Sequence, residues 1–260
     1  MSSKTIVLVT GANQGLGFEI ARKLGKEHSD YHIIMAGRRK QAIHDAAAKL
    51  EADGVSVEPL LLDMTSDESI EAAAKTVSEK HGHLDVLINN AGIADAAPAQ
   101  SAQDTSGDSA QDKPKNTTRS EWLDIYNTNV AGTAVVTDAF IPLLEKSTQT
   151  RRIVFMSSSL GSLTHRAATD GHLRKQPWWP YTVSKTAMTM VGVLYASRFD
   201  GREKEWKVNV CCPGYCATNL NGYAGASPAE QGAINACRLA TLGPDGETNT
   251  FTNVNGTVPW

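Results

Sequence analysis

The sequence has little of what marks a specialised class of protein. Cysteine is scarce: Cys211, Cys212, Cys216 and Cys237 are the four in 260 residues. Three of them stand in Cys-Cys-Pro-Gly-Tyr-Cys, which lacks the paired C-x2-C with further ligands typical of zinc sites, so no metal is expected. Adjacent Cys211 and Cys212 close an apolar strand and read as small core residues of a cytosolic protein. Apolar runs are short. None approaches the ~20 residues of a membrane span. The first one, residues 5–10, ends in a glycine turn with no small-residue cleavage site, so neither a signal peptide nor a membrane anchor is expected and a cytoplasmic location is the default. No charge sign dominates: Lys and Arg number 25 against 28 Asp and Glu, for a net charge of −3, which argues against a nucleic-acid partner.

What remains is 41% hydrophobic and 20% charged, the balance of a globular domain long enough to bury a sizeable core. Short apolar stretches alternate with amphipathic ones. Strands are predicted over 5–10, 32–36, 55–62, 84–88, 152–157 and 207–211, and helices over 16–27, 41–53, 66–81, 120–145, 181–200 and 228–240. The strands are near-continuous Val, Ile and Leu runs, as strands buried on both faces are. This predicts a single α/β domain over 1–260, a doubly wound parallel sheet with helices on both faces. Two segments break the rhythm. Residues 94–119 are polar and aperiodic and read as a surface loop. Residues 164–180 hold His165, His172, Pro177, Trp178, Trp179 and Pro180.

Thr10-Gly11-Ala12-Asn13-Gln14-Gly15-Leu16-Gly17 joins the first strand to the first helix. Glycines there let backbone approach a diphosphate at the positive end of a helix. A three-glycine turn alone also serves as a plain tight turn; the strand–turn–helix setting favours the phosphate. The spacing is G-x3-G-x-G, and Asn89-Asn90-Ala91-Gly92 and Tyr181-Thr182-Val183-Ser184-Lys185 follow in order. With these three motifs the sequence resembles the short-chain dehydrogenase/reductase family along nearly its whole length.

The resemblance implies a Rossmann-type fold and a nicotinamide cofactor held by Gly11, Asn13, Gln14, Gly15, Leu16 and Gly17. The second strand ends Met35-Ala36-Gly37-Arg38-Arg39-Lys40, with cations and no acid. An acid would bind the ribose hydroxyl of NAD, whereas an arginine accommodates the 2′-phosphate, so Arg38 points to NADP(H). The resemblance further implies that Asp63 and Met64 meet the adenine and that Asn90, Ala91 and Gly92 stabilise the sheet edge and touch the adenosine ribose. It also places Pro213, Gly214, Cys216 and Thr218 at the nicotinamide carboxamide.

Tyr181 and Lys185 are four apart, so on a helix they share a face. A free phenol, with a pKa near ~10, exchanges protons poorly at neutral pH; an adjacent ammonium would lower that value. In the family the catalytic serine lies three residues before a glycine, which selects Ser158, before Gly161, over Ser157 and Ser159. Asn129 matches an asparagine that distorts its helix and holds a water linking the lysine to solvent. An asparagine inside a helix is otherwise unfavourable.

The expected reaction is NADPH-dependent reduction of a ketone or aldehyde, with Tyr181 as general acid/base, Ser158 holding the substrate oxygen and Lys185 on the nicotinamide ribose. Trp178, Trp179, Pro180, Tyr215, Leu220 and Tyr223 near the motifs suggest an apolar, ring-containing substrate. Two alternatives stay open: a non-catalytic NADP-binding protein, and a dehydratase or epimerase on the same fold. The stretch between Ser158 and Tyr181 is longer than in many members and resembles the carbonyl-reductase branch, which includes monomers; monomer and homo-oligomer both remain open.

Overall fold

The structure is a computed structural model that describes residues 4–94 and 117–260. Its strands and helices alternate as β1 (Thr5–Thr10), α1 (Gly15–Glu27), β2 (Tyr31–Gly37), α2 (Lys40–Ala52), β3 (Val57–Leu61), α3 (Asp67–His81), β4 (Val86–Asn89), α4 (Arg119–Tyr126), α5 (Thr133–Leu144), β5 (Arg151–Met156), α6 (Leu163–Ala167), α7 (Trp179–Arg198) and β6 (Trp206–Cys211). After them come β7 (Cys216–Ala217), β8 (Ser227–Pro228), α8 (Ala229–Ala240), β9 (Phe251–Asn253) and β10 (Gly256–Thr257).

One eight-stranded sheet runs β10-β9-β6-β5-β4-β1-β2-β3, parallel except for the β9–β10 pair. Strand order therefore reverses between β1 and β4, the point where doubly wound sheets bind ligands beyond the carboxyl ends of their strands. The chain folds as a single Rossmann domain, as the strand–helix alternation predicts.

All six residues of β1 are buried because both faces of the sheet are covered. Ile6 and Leu8 enter one core, with α3, α5 and α7; Val7 and Val9 enter the other, with α1, α2 and α8. The ends of α3 follow from local chemistry. Ser66 caps it by accepting from the Ser69 N–H at 3.2 Å, Asp67 and Glu68 sit in its first turn, and Gly82 ends it in the left-handed region at φ 76°.

Three expectations are corrected in detail. The helix predicted over 120–145 is α4 and α5 joined by a π-helical stretch, Asn127–Gly132. The helix predicted from 181 begins at Trp179, with Pro180 tolerated in the first turn, where its missing N–H is not needed. Strands β9 and β10 were not predicted, being too short to show a period; β9 nevertheless lies beside β6, Val210 opposite Phe251. Of the surface loop expected over 94–119, residues 95–116 lie outside the described residues, and Arg119 already belongs to α4. The segment 164–180 opens with α6, and its turns are tied by arginines: Arg166 donates to the carbonyls of Leu173 and Gln176, Arg174 to that of Ala167. All four cysteines are buried and free of disulfides, and among the described residues no helix is long and apolar enough to cross a membrane.

Candidate active site

The turn after β1 owes its shape to its glycines. Gly11 and Gly15 have φ of 64° and 56°, a region that side chains rarely adopt. Gly17 has no space for a side chain: a Cβ there would lie 2.5 Å from Asn90 Nδ2 and 2.5 Å from the Gly11 carbonyl oxygen. The turn is braced on the one after β4. Thr10 Oγ1 accepts from the N–H groups of Asn90 (3.0 Å) and Ala91 (2.9 Å), and Asn90 Nδ2 donates to Thr10 O at 2.8 Å. The Thr10, Gly17 and Asn90 side of the two motifs is therefore one interlocked unit. No side chain caps α1 and no acid sits in its first turn, so its leading N–H groups find no capping side chain.

A cleft of about 350 Å³ opens between this turn and α2, bordered by Asn13, Gln14, Gly15, Phe18, Arg39 and Lys49 among others. Arg39 borders it, whereas the charge of Arg38 acts on Asp63. The motif singles out Arg38 among the three cations, with Arg39 and Lys40 as partial substitutes, and does not point to Phe18 or Lys49, because which way consecutive exposed residues turn at a strand end is not written in a motif. Asp63 Oδ1 accepts from Thr65 N–H (2.9 Å) and Thr65 Oγ1 (2.7 Å); these two bonds, aided by Arg38, hold its carboxyl below the usual carboxylate range. Met64 is buried, and Gly132 of the π-helical stretch leaves space for its backbone: a Cβ there would meet Met64 O at 2.2 Å.

The fold sorts three neighbouring hydroxyls at the end of β5. Ser157 turns inward to the Lys185 carbonyl (3.1 Å) and to Thr189 Oγ1 (2.7 Å), riveting β5 to α7. Ser159 meets the sulfur of Cys212 at 3.1 Å. Ser158 faces the Tyr181 side chain, and its Oγ accepts from Leu160 N–H at 3.2 Å. Gly161 lets this turn press on α7, since a Cβ there would come within 2.8 Å of the Lys185 carbonyl carbon.

Lys185 is buried beneath this turn. Its Nζ donates to the Met156 carbonyl at 2.7 Å and stands 5.5 Å from the centre of the Tyr181 ring. Burial lowers its pKa to about 8, with Cys212 opposing. Burial raises the Tyr181 phenol, Cys212 adds to this, and the Ser158 hydroxyl opposes it. The expectation that the ammonium lowers the phenol's pKa is thus reversed here: desolvation prevails, and Nζ is committed to a backbone carbonyl. Cys212, which sequence reading assigned to the core, is indeed buried there but also faces both groups.

Asn129 occupies the π-helical stretch and is fully buried. Its Oδ1 accepts from Ile93 N–H (2.8 Å), and its Nδ2 donates to Ile93 O (2.8 Å) and Ser184 Oγ (3.0 Å). The side chain thereby ties the segment after β4 to α7. Gly92 keeps that junction tight, as a Cβ there would lie 3.2 Å from Asn129 Oδ1 and 3.5 Å from Lys185 Nζ. Extra-wide helical turns of this kind recur at functional sites.

On the far side, Gly214 turns the chain with φ 82°, and Cys216 Sγ donates to Pro213 O at 3.3 Å. Thr218 comes back against the glycine turn, within 3.5 Å of where a Gly15 Cβ would stand. The carboxyl ends of β1, β4, β5 and β6 thus gather a glycine cradle, a hydroxyl–phenol pair over a buried ammonium, and a closing loop.

This fold and site define a dinucleotide-type oxidoreductase. Residues 5–228 match the short chain dehydrogenase family, and the chain belongs to it. A relative from Penicillium roqueforti, the short-chain dehydrogenase anuI, is 37% identical over 245 residues, covering 93% of this chain and 90% of its own. Carbonyl reductase (NADPH) 1 of Mus musculus is 29% identical over 100% of this chain and 99% of its own. Among solved structures, the NADPH-bound carbonyl reductase from chicken fatty liver superposes with a TM-score of 0.80 at 25% identity, covering 99% of each chain. Salutaridine reductase from Papaver somniferum gives 0.79 at 27% identity, covering 95% of this chain and 99% of that one.

Proposed function

We propose that this chain reduces ketones or aldehydes to alcohols with NADPH, and that Tyr181 is the proton donor. The observation that carries the reading is the convergence of Ser158 and the Tyr181 phenol beside buried Lys185, whose Nζ stands 5.5 Å from the Tyr181 ring centre, next to a glycine cradle. The residues fit a dinucleotide: left-handed Gly11 and Gly15, no space for a Cβ at Gly17, an uncapped α1 and a cleft beside it bordered by Arg39 and Lys49 as well as Asp45. The relatives named as NADPH carbonyl reductases support the choice of cofactor.

Gly11, Asn13, Gln14, Gly15, Leu16 and Gly17 would hold the diphosphate, Arg38 and Arg39 the 2′-phosphate, and Asp63 and Met64 the adenine end. Asn90, Ala91 and Gly92 would line the adenosine ribose, Lys185 the nicotinamide ribose, and Pro213, Gly214, Cys216 and Thr218 the carboxamide. The bound cofactor supplies the hydride. Ser158 and Tyr181 orient the carbonyl oxygen by hydrogen bonds. Tyr181, kept protonated by burial, gives its proton to that oxygen as negative charge develops there. Lys185 supplies positive charge beside the phenol, and Asn129 holds the segment after β4 against α7 so that this end of the relay keeps its place. NADPH consumption across a panel of carbonyl compounds tests the reading; a protein that binds NADPH and oxidises none of it with any of them would be a binder, dehydratase or epimerase instead.

The charge on Lys185 sets a pH dependence. Its ammonium is held below about 8 and lost above it, while the phenol stays protonated through that range. The expected kcat/KM for reduction is level at neutral pH and falls as pH rises through about 8, by up to about tenfold per unit. Lys185→Met should remove the break along with most of the rate. A wild-type profile level to about pH 10 would contradict the role given to this charge.

Exposed aromatic and aliphatic side chains flank the motifs along the chain: Trp179 at the start of α7, and Tyr215, Leu220 and Tyr223 after β6. Tyr223 is held at φ 63°, a conformation that large side chains avoid and that clusters at ligand clamps. Such side chains favour a flat, apolar, ring-containing substrate. Aryl ketones should exceed small polar aldehydes in kcat/KM; the reverse order would remove these side chains from the recognition surface.

A further inference from the structure

At the end of the sheet away from the catalytic residues, three potential metal ligands converge from three elements. His32 is the second residue of β2 and Glu58 the second of β3. Glu58 stands opposite Ile34, two positions beyond His32, so both side chains leave the same face. His81, the last residue of α3, meets them there. Its Nε2 lies 2.7 Å from Glu58 Oε1, and His32 Nε2 lies 4.0 Å from that same oxygen. All three donor atoms fall within 4.8 Å of one another.

Their outer atoms are already held. Ser56 Oγ lies 2.9 Å from His32 Nδ1 and also receives a hydrogen bond from Lys4 Nζ at 2.8 Å. The Ser56 oxygen, taking one hydrogen bond from lysine, has a second lone pair to receive the Nδ1 proton; in the tautomer that places the proton there, the Nε2 lone pair is left for a metal ion. Lys80 Nζ binds the other carboxylate oxygen, Glu58 Oε2, at 3.1 Å and leaves Oε1 to the cluster. Support of this kind fixes ring tautomer and carboxylate orientation around metal ions. The side chains of His32, Glu58 and His81 are 19%, 22% and 17% exposed, which keeps an entry path and a place for water.

We propose that His32, Glu58 and His81 bind a divalent transition-metal ion of the zinc class, tying β2, β3 and the end of α3 together. Two imidazoles and one carboxylate with an open position form a donor set that zinc accepts. Tetrahedral bonds of 2.0–2.2 Å set ligand atoms roughly 3.3 Å apart, between the 2.7 Å and 4.0 Å that separate the two imidazoles from Glu58 Oε1. Lys4 and Lys80 nearby make the affinity weaker than that of a closed four-ligand centre. The cysteine spacing predicts no metal, and no local motif announces these ligands, which are brought together only by strand register and the return of α3.

The test uses the full chain stripped with a chelator and titrated with Zn(II) by calorimetry and with Co(II) by visible absorption. One ion per chain is expected, with a tetrahedral-type cobalt band and a rise in Tm on adding Zn(II). His32→Ala and His81→Ala should each weaken binding at least about tenfold and abolish the Tm rise. His32→Gln and His81→Gln, which keep a hydrogen-bonding side chain, give the same reading should alanine unfold this edge. His44→Ala, an exposed histidine on α2, should bind like wild type. Zinc affinity in the His32 and His81 variants equal to wild type, or no uptake by wild type, would reduce the cluster to a hydrogen-bonded ion network and overturn the proposal.

Discussion

Tyr181→Phe is expected to bind NADPH with nearly unchanged affinity and to lose about 10²–10⁴ of kcat, the span typical of a general acid. The substitution keeps the ring that faces Lys185 Nζ at 5.5 Å and removes only the hydroxyl. Helix α7 should survive it, because its seat on the chain just after β5 is made by Ser157 with Thr189 and by Thr186 with the Gly161 carbonyl. NADPH fluorescence enhancement reads the binding, and single-turnover oxidation of bound NADPH reads the chemistry. Intact enhancement with lost turnover supports proton donation by the phenol. Loss of both would mean that the hydroxyl builds the cofactor site; full turnover would end the mechanism. Ser158→Ala provides the comparison: it removes one of two donors to the substrate oxygen but leaves the acid, so a smaller loss in kcat is expected.

How much of this was legible beforehand depended on whether a feature is local. The fold was: period and composition placed β1 without error, and the other five predicted strands and all six predicted helices within a few residues. The motif residues also converge as their order suggested, since a strand end and the next helix start are neighbours by construction. Relations between segments were hidden. Nothing in the run 120–145 announces that Asn129 sits in a wide turn, because its partners Ile93 and Ser184 lie in other elements. Cys212 reads as core filler from its apolar strand, and only packing brings it beside Ser159, Tyr181 and Lys185. The Tyr181–Lys185 spacing was read as a means of lowering the phenol's pKa; burial, which spacing cannot report, reverses the direction.

The arginines at the end of β2 carry the second large effect. Arg38 and Arg39 are both exposed, one charge acting on Asp63 and the other bordering the cleft beside Asn13 and Gln14. Both would serve a 2′-phosphate held at this strand end. Each hydrogen bond to a charged group contributes roughly 1.5–3 kcal/mol. At ~1.4 kcal/mol per decade, Arg38→Ala or Arg39→Ala alone should weaken NADPH binding about 10- to 100-fold, and the double variant about 10²–10⁴-fold where the two act independently. NADH lacks the phosphate and should bind all three variants as it binds wild type. Arg39 is also the residue preceding α2 but donates no side-chain cap to it, so its loss should not unravel the helix. The measurement is Kd for both cofactors at matched ionic strength, since exposed charges are screened. A loss shared equally by NADH and NADPH would assign the arginines to the shape of the turn. Selective loss from Arg39→Ala alone would make the cleft-lining residue the reader of the phosphate and leave Arg38 as the partner of Asp63.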